Sequence, residues 1–374
     1  DTDHSNVWGG GPVTRRPAPE NREDMAHPAD LSECSCSEER AVALGVDVGA
    51  DGITAVAADG RGRVISSLER PAPQDCHSDA RRLAEEIGSA ITSLRASAAE
   101  EAAGDIMGAP APVVGICVPG IVDEDEGCVR HSDVLGLQDA PLASLVGRIL
   151  AADSGESAGA VGVTLYQDAR CGALAESRWG AGGQSCLYLS VGERISAAVL
   201  LDGVPVLGGG WAGQVGRVLV PDPDWSGERA RLKDVASVDA MVRRYTAGLV
   251  DDSGGSVGSV GSDVSAARAD SLSSGLDSLL GAMRSGDREA RRVWDTGLDA
   301  LADLIARGAG LLGPIDVVIS SELTRTGEAV FLEPLRGRVA VLMAGLPAPR
   351  LVPARLGNSA RALGAAGRAL KNCQ

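Results

Sequence analysis

Three places in this 374-residue chain carry the residue types that phosphate or sugar-hydroxyl chemistry uses. Asp47 lies next to last in the apolar run Val42–Val48, which stops at Gly49, where a tight turn leads into a second apolar run from Ile53. Gly192 follows CLYLSV and precedes Glu193, Arg194 and another apolar run. A glycine-bearing turn between strands lets backbone N–H groups approach an anion closely. The third place is Asp168, where VGVTLY gives way at Gln167 to the helix-like QDARCGALAESRWG. A carboxylate there has two readings: a general base toward a hydroxyl group, or an acid that the macrodipole favours in the first helical turn.

These residues need a scaffold that brings them together, and the sequence repeats one. The stretch VALGVDVGADGITAVAADGRGRVISS reads as three strands with a turn at Asp59-Gly60. CLYLSVGERISAAVLLDGVPVLGG repeats strand, glycine turn, strand and an Asp202-Gly203 turn. Two copies of one module ~145 residues apart imply a duplicated, two-lobed chain whose turns face each other across a cleft. Between and after them, Ser78 is placed to cap a helix with Leu83, Ile87, Ile91 and Leu94 on one face. VVGICVPG reads as a buried strand, Asp123 to Glu126 as an exposed acidic loop, and Leu142 to Leu150 as an amphipathic helix. A short helix is expected around Val235 to Tyr245 and a long one from Arg288 to Leu312, ended by Gly313-Pro314. IDVVIS and VAVLMAG read as strands. The terminal GAAG run suits close helix packing or a flat ligand such as adenine.

Composition narrows the function classes. Aromatic residues make up 2% of the chain, so its cores rest on Leu, Val, Ile and Ala. A formal net charge of -16 argues against a broad nucleic-acid-binding surface. The eight cysteines do not form a disulfide framework, because Cys117, Cys171 and Cys186 sit inside apolar stretches. Cys34 and Cys36 lack the paired CxxC that a zinc site needs. No run of about 18 apolar residues and no signal-peptide pattern is present, so a cytoplasmic protein away from membranes is expected. Residues 1–40 read as a disordered tail.

Taken in order, GVDVGADGITA, GICVPGIVD, QDARCGALAE, LYLSVGERISAAVLLDG, GWAGQVGRV, PIDVVISSEL and GAAGRAL resemble the blocks of the ROK family (repressor, open reading frame, kinase). That family holds bacterial sugar kinases and NagC/XylR-type sugar-responsive regulators. The resemblance runs from Ala41 to Leu370 and implies an α/β, two-lobed actin-like ATPase (ribonuclease H-like) fold of duplicated βββαβα-type domains. It implies an N-terminal lobe over 41–160, completed by a helix at 358–371. A C-terminal lobe over 161–357 would carry a flexible Gly/Ser/Asp insertion at 248–275.

The family's working positions carry other residues here. Its first phosphate loop, Asp-x-Gly-Gly-Thr, falls on Asp47, Gly49, Ala50 and Asp51; its second, Gly-Thr-Gly-Ile-Gly, falls on Gly192, Glu193, Arg194, Ile195 and Ser196. Each loop gains an acid where nucleotide phosphates would lie. Two unit charges about 4 Å apart repel by roughly 4 kcal/mol at an effective dielectric near 20. The resemblance puts sugar contacts on Gln167 and Asp168, the latter a vestigial general base, and on Gln214, Arg217 and Lys233. The family's zinc loop falls on GERARLKDVAS, which holds no cysteine.

The resulting expectation is a non-catalytic ROK protein, the effector-sensing domain of a sugar-responsive transcriptional regulator. It would bind a sugar or sugar derivative, form a homo-oligomer and need no cofactor and no zinc. It would reach DNA only through a helix-turn-helix that residues 1–40 do not show. The alternative is an ATP- and Mg-dependent sugar kinase, glucokinase-like, with Asp168 as general base; a scaffolding pseudokinase is the third reading.

Overall fold

The strands expected on either side of Gly49 and Gly192 form and pair with their neighbours as hairpins. The computed structural model describes residues 42–49, 52–71, 76–101, 113–153, 162–253 and 265–372. The expected tail over 1–40 and two residues of the first loop, Ala50 and Asp51, lie outside them. All described residues belong to one unit, Glu39–Gln374.

In the first half β1 (Val42–Val48), β2 (Gly52–Asp59) and β3 (Val64–Pro71) make an antiparallel meander, and β4 (Val113–Val118) lies parallel to β1. β1 is almost wholly apolar because it is covered on both faces. The Asp59-Gly60 turn forms as expected, with Asp59 Oδ1 accepting from the Arg61 and Arg63 N–H groups. A small sheet follows, of β5 (Ile121–Asp123), β6 (Cys128–Ser132) and β7 (Leu137–Ala140). Then comes β8 (Val163–Gln167), which completes the first sheet in the order β3-β2-β1-β4-β8. β8 pairs with β4 in parallel and so joins the first sheet, although it lies within the span 161–357 expected for the C-terminal lobe.

The second half repeats the plan. β9 (Cys186–Val191), β10 (Ile195–Leu201) and β11 (Val204–Pro205) form the meander. β12 (Leu219–Pro221) and β13 (Arg229–Arg231) form a separate ribbon, and β14 (Asp316–Ser321) and β15 (Leu351–Pro353) extend the main sheet to β11-β10-β9-β14-β15. Asp202 and Gly203 both take positive φ, 52° and 77°, as a tight hairpin turn between twisted strands requires.

Helices cover each sheet on two faces. α1 (Ala80–Glu101) and α2 (Leu142–Asp153) bury Leu83, Ile87, Ile91 and Val146 against the outer face of the first sheet. The start of α1 is capped by Asp79, whose carboxylate accepts from the Arg81 and Arg82 N–H groups; Ser78, expected to do so, holds a left-handed φ of 68°. α3 (Asp168–Trp179) follows β8 but packs its Ala169 and Ala173 on Tyr188 and Ala198 of the second sheet. The outer face of the second sheet carries α4 (Leu232–Ala236), α5 (Val238–Ser253), α6 (Ser265–Arg284), α7 (Arg288–Leu312) and α8 (Leu332–Leu342). α9 (Ala360–Asn372) follows β15 and returns to the first sheet, burying Ala362, Leu363 and Ala366 against Ala43, Val56 and Ala58.

Several elements differ from expectation. The helix expected around Val235 to Tyr245 is two, α4 and α5. Both ends of the span 248–275 are helical, in α5 and α6, while 254–264 lie outside the described residues. VAVLMAG is the end of α8 and the turn beyond it, not a strand, because Leu332, Leu335 and Val339 bury at helical spacing; the strand is the later LVP of β15. α7 spans the expected residues, with the Asp287 carboxylate accepting from the Ala290 N–H and Gly313 closing its end at φ 81°. The GAAG run serves packing: a Cβ on Gly364 would lie 1.9 Å from the Cys171 carbonyl oxygen of α3.

Candidate functional site

The two hairpin turns open onto one cavity of about 880 Å³ between the sheets. Asp47, Gly49 and Thr54 line it from the first half, and Ser190, Gly192, Glu193 and Arg194 from the second. Asp168 lines it from the start of α3, and Arg361 from the start of α9. Of the expected phosphate-loop residues the structure thus brings Asp47, Gly49, Gly192, Glu193, Arg194 and Ser196 to one cavity; Ile195 is buried in the second core, and Ala50 and Asp51 lie outside the described residues.

Each turn is closed by its own glycine. The Gly49 N–H donates to the Gly52 carbonyl at 2.8 Å, and the Gly192 N–H donates to the Arg194 carbonyl at 2.9 Å. Gly52 is required by close approach, since a Cβ there would stand 2.3 Å from the Arg70 carbonyl oxygen. These two N–H groups are therefore engaged within the turns, and the anion cradle expected from them is narrower than a glycine count suggests.

The cavity floor is a charge cluster. Asp47 Oδ1 accepts from the Cys117 thiol at 3.4 Å, and Asp47 Oδ2 stands 3.8 Å from Arg361 Nη1. Asp168 Oδ1 accepts from the Ala169 N–H and the Gln167 amide, each at 2.7 Å, while its Oδ2 stands 3.9 Å from the same Arg361 nitrogen. The other arm of Arg361 donates to Ser190 Oγ at 2.8 Å. Burial raises the Asp47 pKa, and Arg361 offsets part of that rise. For Arg361 the lowering by burial is outweighed by Asp47 and Asp168, and its pKa is raised. Around this floor the walls are balanced: Arg70, Arg194, Arg325, Arg355 and Arg361 face Asp47, Glu69, Asp168, Glu193 and Glu322. A magnesium ion, which kinase chemistry would require, does not fit between Asp47 and Asp168, because the oxygen that each turns to the cavity already faces the Arg361 guanidinium.

The expected sugar contacts do not converge on Asp168. Gln167 is fully buried beneath the site, its Oε1 capping α3 at the Arg170 N–H and its amide propping Asp168. Gln214 and Arg217 reach across to the small sheet instead. Gln214 donates to the Gly120 carbonyl at 2.9 Å, and Arg217 pairs at 2.8 Å with Asp133, which also holds His131 at 2.6 Å. Lys233, half-exposed on α4, has Asp234 as its ion-pair partner at 3.9 Å. Among the described residues no cluster of three His, Cys, Asp or Glu side chains is placed to hold a metal ion.

Arg361 is the residue that sequence reading missed. It sits in ARALGAAGRAL, a helix otherwise of small and aliphatic residues up to Arg368, and a lone long cation at the start of such a helix was the available signal. A second missed group lies behind the floor. The acidic loop expected to be exposed at Asp123 to Glu126 puts Glu124 inside, between Arg170 at 2.8 Å and Arg368 at 2.7 Å. Arg368 also covers the Tyr166 ring at 4.0 Å, and burial pushes the Tyr166 hydroxyl up to about 12.

No helix among the described residues is long and apolar enough to cross a membrane. A glucokinase of Thermotoga maritima is 31% identical over 247 residues, covering 62% of this chain and 70% of that protein. The xylose repressor of Caldicellulosiruptor bescii is 29% identical over 180 residues, covering 47% of this chain and 41% of the repressor. Among solved structures, a ROK hexokinase from Thermus thermophilus superposes with a TM-score of 0.67 at 24% identity, covering 89% of this chain and 99% of that one. The last likeness is one of fold: the two-lobed actin-like ATPase architecture. The ROK family profile itself matches residues 43–372, and with that match over nearly all of the described sequence the chain belongs to the ROK family.

Proposed function

We propose that this chain is the effector-sensing domain of a sugar-responsive transcriptional regulator and transfers no phosphate. The observation that carries this reading is Arg361, whose guanidinium faces both Asp47 and Asp168. A general base has to receive a proton from the sugar hydroxyl; the cleft-facing oxygen of Asp168 meets a cation instead. Ligand-coupled movement of two lobes needs no such proton transfer, and one relative is a xylose repressor. The Gln214–Gly120 and Arg217–Asp133 contacts join the two halves, so an effector seated between them would act on lobe spacing. The effector is a sugar or sugar derivative, the active form a homo-oligomer, and neither cofactor nor zinc is part of it; metal analysis of protein purified without chelator should find well under stoichiometric zinc.

The test is ATP turnover across a panel of hexoses and amino sugars, with Mg-ATP melts alongside. The expected outcome is no sugar-dependent turnover and no rise in melting temperature with Mg-ATP. Replacing Asp51, Glu193 and Arg194 by Thr, Thr and Gly should recover some nucleotide affinity without phosphorylation. Sugar-dependent ADP release by the native chain would overturn the reading in favour of a glucokinase-like enzyme, the alternative that Asp168 in the cleft and the Thermotoga maritima relative support.

A further inference from the structure

We infer that Arg361 is the resident cation of the cleft: it stands in for a divalent metal at the Asp47–Asp168 pair, so whatever this cleft binds, it binds without one. The inference deepens the reading above and rests on it only for the identity of the cleft. Two carboxylates from different elements, one next to last on β1 and one starting α3, are brought together at the floor of a cavity. Such a pair is held either by a metal ion or by a protein cation.

The geometry selects the second. Each carboxylate has one oxygen turned inward and already supplied with donors: the Cys117 thiol for Asp47, the Ala169 N–H and Gln167 amide for Asp168. Only the two Oδ2 atoms are left to face the cavity, and Arg361 Nη1 is nearly equidistant from them at 3.8 and 3.9 Å. An ion bound by both oxygens would meet a like charge beside it. Nor is Arg361 free to withdraw. Its second arm is fixed to Ser190 at 2.8 Å, and the helix that carries it is wedged in place. A Cβ on Gly45 would lie 1.8 Å from the Ala362 carbonyl oxygen, so the first turn of α9 rests directly on β1. The cation therefore belongs to the fold.

The test uses the full chain and Mn²⁺ alone, with no sugar or nucleotide, so its failure is distinguishable from failure of the regulator reading. Mn²⁺ binding is followed by electron paramagnetic resonance, with melting curves in millimolar MnCl₂. The native chain should show no Mn²⁺ site that depends on Asp47, and its melting temperature should not rise. Arg361→Ala should melt lower than native, gain a Mn²⁺ site about tenfold or more tighter than any on the native chain, and recover melting temperature with the ion. Asp47→Asn in the Arg361→Ala background should abolish the gain. If Arg361→Ala does not fold, Arg361→Gln keeps a donor for Ser190 without the charge and gives the same readout. A Mn²⁺ site on the native chain that Asp47→Asn removes would overturn the inference. A folded Arg361 variant that gains no site would overturn it as well.

Discussion

The two halves of the molecule share a topology and oppose each other in packing. Asp47 and Ser190 hold the same place, next to last on the first strand of each meander, paired with Thr54 and Cys117 in one half and with Ser196 and Ser320 in the other. Two positions earlier stand Gly45 and Tyr188. Gly45 pairs with Gly115, and both leave room for α9, since Cβ atoms there would lie 1.8 and 2.1 Å from the Ala362 and Ala365 carbonyl oxygens. In the second half the strand is bulky and the helix gives way: a Cβ on Gly172 of α3 would stand 2.7 Å from the Tyr188 ring. One sheet yields to its helix, and the other helix yields to its sheet. The two helices also exchange sides, each following the last strand of one sheet and covering the inner face of the other. The shared topology gives Asp47 and Ser190 the same place at the cleft, where one half presents a carboxylate and the other a hydroxyl.

The exchange of helices is tied down at Glu176, and removing that tie should have the largest effect. Glu176 is fully buried on α3 and accepts from the Ala181, Arg355 and Leu356 N–H groups, the last two leading from β15 into α9. Glu176→Ala would leave these donors without their partner, at about 1–3 kcal/mol for each that stays buried. A loss of roughly 3–5 kcal/mol in urea unfolding is expected. A loss under about 1 kcal/mol would mean that the halves are held together elsewhere.

The opposed packing predicts unequal responses to one added methyl group. Gly45→Ala drives Cβ into backbone that cannot turn aside, so about 3 kcal/mol is expected. Gly172→Ala meets the Tyr188 side chain, which can shift a little, and about 1–2 kcal/mol is expected. Equal losses in parallel urea titrations would break the comparison.

Much of this symmetry was legible in the sequence because strands buried on both faces are written as continuous apolar runs, and because Asp59-Gly60 and Asp202-Gly203 are turn signals with a backbone reason. The same rule failed at VAVLMAG, where a short apolar run at the end of α8 has no period long enough to show helix. Asp168 was legible as a cleft residue from its strand-to-helix junction. Its partner was not, since nothing local links Arg361 to Asp47, 314 positions away; only the return of α9 to the first sheet brings them together. Gln214 and Arg217 show the converse. Their places in a motif marked them as ligand contacts, and tertiary structure spends both on joining the halves.

The smallest effect expected is also the one that isolates the chemical difference between Asp47 and Ser190. Burial raises the Asp47 pKa above its ordinary 3.8, with the charge of Asp168 adding to the rise and Arg361 and the Cys117 thiol opposing it. Below that value the carboxyl is protonated in folded and unfolded chains alike and has no linkage effect. As pH rises the unfolded chain releases this proton first, so the folded state loses stability until pH passes the raised value, and the deficit persists at neutral pH. Asp47→Asn should therefore melt higher than the native chain at neutral pH, by a margin that shrinks on acidification and closes below about pH 4. Ser190→Ala removes one hydrogen bond to Arg361 and should cost about 1 kcal/mol at every pH in that range. Melting curves of the three proteins across the acid range make the measurement. If Asp47→Asn instead melts lower at neutral pH, the ion pair with Arg361 outweighs the burial of Asp47, and the acidic half of the cleft is the stabilised one.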